Sequence, residues 1–145
     1  ERKAVKRAID ILGNAGYRKK DIIFYMLYNF FDFEHKYGDT PNDFLFRLKD
    51  LMEWGATAYP MRFIPLDALD KNSFISPLWK PEQLEMIADA RRVMGHGGAF
   101  VPYKEFVNKI LGATNFEEAM LLRSLKEVSM EKKQRALDIF LEVKA

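Results

Sequence analysis

The run DTPNDFLFRLKDLMEWGATAYPMRFIPL, residues 39–66, constrains the fold more than any other stretch of the chain. It reads as one helix passing directly into one short strand. Thr40 can cap the helix, Pro41 suits a first turn where its missing N–H costs nothing, and Asp43 complements the positive helix end. Phe44, Leu45, Leu48, Leu51 and Met52 recur at helical spacing, while Lys49, Asp50 and Glu53 fall on another face. Gly55 ends the helix. Residues 56–64 are mostly apolar and too few for another helix of that kind. A helix that feeds a buried strand through so short a connection is half of a βαβ unit.

The preceding half is visible in residues 21–29, DIIFYMLYN, an apolar run bounded by Asp21 and Asn29. Such a run suits a strand buried on both faces, as in a parallel sheet covered by helices. The connection from there to Thr40 holds Phe31, Asp32, Glu34, His35 and Asp39, and it exceeds the usual two to six residues or so between strand and helix. It is either a functional loop or a surface excursion pinned by Phe30, Phe31 and Phe33. In the second strand Pro60 cannot donate to a ladder, so it marks an edge, a bulge or a place where the backbone is not asked to pair. Arg62 follows near the strand's carboxyl end, where parallel α/β folds bind ligands. It either holds a carboxylate or phosphate or closes a salt bridge to the loop at 32–39.

The flanks are helical. Residues 2–12 make an amphipathic helix with Val5, Ala8, Ile9 and Leu12 as its stripe, stopped by Gly13-Asn14 and Gly16. Residues 67–80 are irregular. Pro81 opens a helix to Met94, with Leu84, Ile87, Ala88 and Arg91 along one side, and Gly95-His96-Gly97-Gly98 ends it. A glycine-rich turn placed after a helix acts as a joint rather than a phosphate cradle. A further helix runs from Pro102 to about Leu111. Residues 115–128 and 129–144 then read as two more, the second capped by Ser129.

Composition narrows the function classes. With 145 residues, 48% of them hydrophobic and 30% charged, the chain is one ordinary ordered domain in size. A net charge of +2, from 23 basic and 21 acidic residues, gives no reason to expect a nucleic-acid partner. The absence of cysteine excludes disulfides, thiolate nucleophiles and cysteine-ligated metal within the chain. His35 and His96 are its histidines, and neither sits in a metal-ligand spacing. No nucleophile elbow, P-loop or dinucleotide fingerprint occurs. The longest apolar run, 22–28, is too short to cross a bilayer, and no secretory signal is present. A cytoplasmic protein without a membrane partner is the expectation.

Three stretches carry a resemblance: DIIFYMLYNF, the run from DTPNDF through YPMRFIPL to NSF, and WKPEQLEMIADARR with GHGGAF. Together they resemble the C-terminal part of radical SAM proteins of the iron–sulfur oxidoreductase type, with their YMLxNF, DTPxDF and YPMRFxPL segments. The resemblance covers roughly residues 17–100. It implies a partial (β/α) barrel, with residues 1–66 as its C-terminal half and 67–145 as a helical C-terminal extension. The strands at 21–29 and 56–64 would be about the fifth and sixth of that barrel. It also implies that Asn29 and Phe30, with Pro60, Met61, Arg62 and Phe63, contact S-adenosylmethionine, largely through backbone and apolar groups.

The family's CxxxCxxC motif has no counterpart here, so the 4Fe-4S cluster would belong to a parent protein and not to this chain. The expectation is therefore the second half of an enzyme, inactive by itself, whose partner is the missing N-terminal half of the barrel. A helical binding or interaction module is the alternative from a different class. Two neighbouring strands leave open edges, which predicts a homo-oligomer through one of them.

Overall fold

In the computed structural model, which describes residues 1–70, 73–122 and 125–144, the chain is a mixed α/β structure. Helix α1 (Arg2–Asn14) leads through a 3-10 turn into strand β1 (Ile23–Tyr28). A hairpin of two-residue strands, β2 (Phe31–Asp32) and β3 (Tyr37–Gly38), precedes helix α2 (Pro41–Trp54) and strand β4 (Thr57–Arg62). Helices α3 (Pro81–Met94), α4 (Lys104–Gly112), α5 (Phe116–Met120) and α6 (Leu125–Lys144) follow.

β1 and β4 pair in parallel, from Ile23 opposite Thr57 to Tyr28 opposite Arg62, with α2 as the crossover. The local chemistry that builds α2 is complete. Thr40 Oγ1 accepts from the Asp43 N–H (3.1 Å), and the Asp43 carboxylate accepts from the Thr40 N–H (2.9 Å). At the other end Gly55 takes the left-handed conformation (φ 79°) that lets the chain reverse into β4. Phe44, Leu48 and Leu51 of α2 are buried, as are Met26 and Tyr28 of β1.

The ladder explains Pro60. The Thr57 N–H donates to the Ile22 carbonyl (3.0 Å) and the Phe63 N–H to the Tyr28 carbonyl (2.8 Å). Odd-numbered residues of β4 therefore bond toward β1, and even-numbered ones turn N–H and C=O to the opposite edge. On that edge Ala58 exchanges two bonds with Phe100, at 2.7 and 3.0 Å. Pro60 is even-numbered, so its missing N–H removes no rung between the strands, and its ring is buried.

A contiguous core joins Ile9, Met26, Tyr28 and the inward face of α2 to Trp79, Leu84, Ile87, Phe100, Phe106, Ile110 and Phe116. Trp79 anchors its centre: its ring packs against Tyr28, Phe44 and Phe116, and its indole N–H donates to the Asp39 carbonyl (2.9 Å).

Four expectations need correction. β1 is not buried on both faces: Tyr25 is 73% exposed, and Ile23 and Leu27 are exposed beside it. Helices cover one side of this sheet, and odd-numbered residues occupy the other. The segment at 30–39 is a hairpin rather than a plain loop. The helix expected at 115–128 stops at Met120, after which residues 123–124 lie outside the described residues. Ser129 falls inside α6 and does not begin it. Among the described residues, no helix is long and apolar enough to cross a membrane.

Candidate functional site

The residues singled out from the sequence do converge on the carboxyl end of the parallel pair, where β1 runs into Asn29 and Phe30 and β4 into Phe63. Their side chains take different parts. Asn29 is fully buried and adopts a left-handed conformation (φ 63°). Its amide nitrogen donates to the carbonyls of Phe74 (3.0 Å) and Phe63 (3.5 Å), and its oxygen accepts from the Ser76 N–H (2.7 Å). The side chain thus straps the segment 74–76 across the sheet end. Arg62 reaches the same strap, donating to the Phe74 carbonyl (2.8 Å). Phe30, Phe63 and Phe74 form an edge-to-face row with ring centroids 5.0 and 5.8 Å apart. Pro60 is buried toward the helices, whereas Met61 is exposed on the uncovered face of the sheet.

That uncovered face is the most open apolar surface of the sheet. Tyr25, Leu27 and Met61 lie on it, and Tyr25 and Tyr59 make an edge-to-face pair at 5.6 Å. The Arg91 guanidinium sits 5.0 Å over the Tyr59 ring. Its Nε donates to the Gly98 carbonyl (2.9 Å), so the glycine-rich turn after α3 serves to hold this arginine. A Cβ at Gly98 would run into the guanidinium. Burial pushes the Tyr28 hydroxyl to a higher pKa than usual, while Arg91 and Arg62 pull it the other way. Sequence reasoning missed Tyr59 and Arg91 as a unit. The available signal was a cation in the apolar stripe of α3, a position that requires a partner.

The hairpin next to the site is held by charge. Asp39 accepts from the Phe30 N–H (2.7 Å) and from Arg47 (3.0 Å), and Arg47 also donates to the Leu27 carbonyl (2.8 Å). Burial nevertheless raises the Asp39 carboxyl above its ordinary pKa. At the hairpin tip, Asp32 pairs with His35 Nδ1 (2.7 Å), which lowers its pKa. Asp32, Glu34 and His35 approach one another closely enough to share a cation. Asp32 already accepts the N–H groups of Glu34 (2.9 Å) and His35 (3.3 Å), so these contacts account for the cluster as a turn.

The chain can therefore offer a flat, aromatic and aliphatic surface with one stacked guanidinium at its margin. Such a surface suits a planar ring better than a compact ion. No protein-family model, curated protein or solved structure matches the chain.

Proposed function

We propose that this chain is the C-terminal part of a radical SAM enzyme, inactive alone, whose parent uses S-adenosylmethionine and a 4Fe-4S cluster. The observation that carries the reading is the parallel β1–α2–β4 unit with helices on one side and an apolar, uncovered face on the other. Parallel sheets occur almost only with both faces covered, so this face is a surface meant to be enclosed. Leu27, Met61 and the Tyr25–Tyr59 pair suit the apolar enclosure of an adenine ring. The backbone at Asn29 and Phe30 and at Arg62 and Phe63 lines the adjacent sheet end. Of the six residues named from the resemblance, Asn29 and Pro60 would act by shaping the sheet, and Met61 by contact.

The cluster does not fit this chain. Its ligands are thiolates and the sequence has none, so no step of the chemistry is assigned to these residues. The alternative, a helical interaction module, draws support from the exposed Leu137, Ile139, Phe140 and Leu141 of α6.

The test is anaerobic incubation with iron, sulfide, reductant and S-adenosylmethionine. The isolated chain should form no 5′-deoxyadenosine. Supplying a cluster-bearing upstream half, in one chain or two, should restore cofactor binding, and Met61→Asp should then weaken it while leaving the cluster absorbance intact. Turnover by the isolated chain would overturn the reading.

A further inference from the structure

The two edges of the β1–β4 sheet are treated differently. On β4 the outer edge carries Pro60 and is closed by the Phe100 bridge. On β1 the even-numbered residues bond to β4, so Ile23, Tyr25 and Leu27 turn their N–H and C=O outward. Arg47 occupies the Leu27 carbonyl (2.8 Å). Among the described residues, no hydrogen bond reaches the main chain of Ile23 or Tyr25. Apart from the Arg47 guanidinium on the Leu27 carbonyl, this edge carries none of the devices that blunt a free strand: no proline, no bulge and no charged residue between Ile22 and Tyr28. Beside it lies a groove of about 270 Å³ whose apolar walls include Phe24, Met26, Phe46 and Trp54.

We infer that the β1 edge is an interface for a second copy of this chain, paired antiparallel about a twofold axis at Tyr25. The pattern is self-complementary. With Tyr25 opposite itself, Ile23 meets Leu27 of the second copy, and apolar side chains face each other throughout. Two main-chain bonds join the Tyr25 residues, and two more run from Leu27 N–H to Ile23 C=O, all without disturbing Arg47. Asp21 then comes beside Asn29 of the second copy, so no like charges meet; a parallel arrangement would set Asp21 against Asp21. On the groove side, Phe24 and Met26 become cross-strand neighbours. The result is a continuous four-stranded sheet closed by symmetry. The inference rests on edge geometry and not on the functional reading above. A complementing barrel strand would compete for the same edge.

The experiment is light scattering and sedimentation on the full chain at up to about 100 μM, where micromolar association is populated. The wild type should run at twice its 17.0 kDa mass. Tyr25→Lys sets two cations face to face at an exposed position and should raise the dimer dissociation constant at least about tenfold, with unchanged circular dichroism. Met61→Lys, on the same uncovered face but away from the edge, should leave the dimer intact.

Ile23→Lys and Leu27→Glu should each weaken association, and the double variant should recover it in a salt-sensitive form. The introduced ammonium at position 23 and carboxylate at position 27 can pair only between copies, because the two positions lie roughly 13 Å apart along one strand. A wild type that stays monomeric throughout overturns the inference. So does a double variant no better than the singles, or a Met61→Lys variant that dissociates as completely as Tyr25→Lys.

Discussion

Asn29 shows how much a single side chain settles at the sheet end. Its left-handed backbone lets β1 stop and turn, and its amide uses both donor and acceptor on the strap at 74–76. Asn29→Ala loses these bonds, leaves the Ser76 N–H without its acceptor and puts in the left-handed region a residue that tolerates it less well than asparagine. It should cost about 2–4 kcal/mol in urea unfolding. Asn29→Gly keeps the conformational freedom and should cost less. If alanine proves as mild as glycine, the left-handed backbone at this position carries no cost. An asparagine that ends an apolar run is legible in the sequence as a stop signal. Its partner, Phe74, lies 45 positions away in a stretch without periodicity, and no local pattern connects the two. Arg91 was similarly visible as a residue but not as half of a stacked pair, since Tyr59 sits on a different element.

Among the elements, α2 and β4 were almost fully legible because every local signal agreed: cap, first-turn proline, apolar stripe and terminal glycine. Removing one of those signals gives a bounded cost. Thr40→Ala should lower stability by about 1 kcal/mol, and Leu48→Asp should unfold the chain, because Leu48 is fully buried where the helix meets the sheet. Lys49 is more than a solvent-facing residue: its Nζ donates to the Ala113 carbonyl (2.6 Å) and ties α2 to the end of α4. Lys49→Asp should therefore cost about 1–3 kcal/mol, and thermal melts of the three variants rank them. The hairpin escaped sequence reading because two-residue strands have no period to detect. It depends on the turn at Asp32 and on Gly38, where an added Cβ would strike the Phe30 carbonyl. The division between the last two helices was expected at Ser129, whereas α5 stops at Met120 and Ser129 lies inside α6, because capping residue types also occur within helices.

At the scale of the molecule, acid acts on two carboxylates in opposite senses. Asp39 titrates above its ordinary value in the folded chain because burial outweighs its hydrogen bonds. Between the ordinary and the raised value the folded state holds a proton that the unfolded chain has released, so this group favours folding as pH falls through that window. Asp32 is held low by His35; the stability it supplies is present above its ordinary value and lost as pH falls through its folded value. Asp39→Asn removes the first effect and leaves the second. Relative to wild type, its stability should drop more steeply as pH falls toward the ordinary carboxylate value, measured as the shift in urea midpoint. Parallel curves would mean that Asp39 is not titrating in that range. The α/β class was legible from length, patterning and the short helix-to-strand passage. The uncovered sheet face was not, because an apolar run does not say which of its sides the rest of the chain will cover.

The two tryptophans sit in positions that make them separate optical probes. Trp79 is enclosed by Tyr28, Phe44 and Phe116, with its N–H tied to Asp39, so its emission belongs to a dry, rigid setting and shifts to the red when the centre loosens. Trp54 lies half-buried under the Arg2 guanidinium (5.6 Å) on the wall of the groove beside β1. A partner that fills this groove should remove water from the second indole and move its emission to the blue, leaving the first unchanged. A single spectrum thus separates occupation of the margin from the state of the interior, with no label attached.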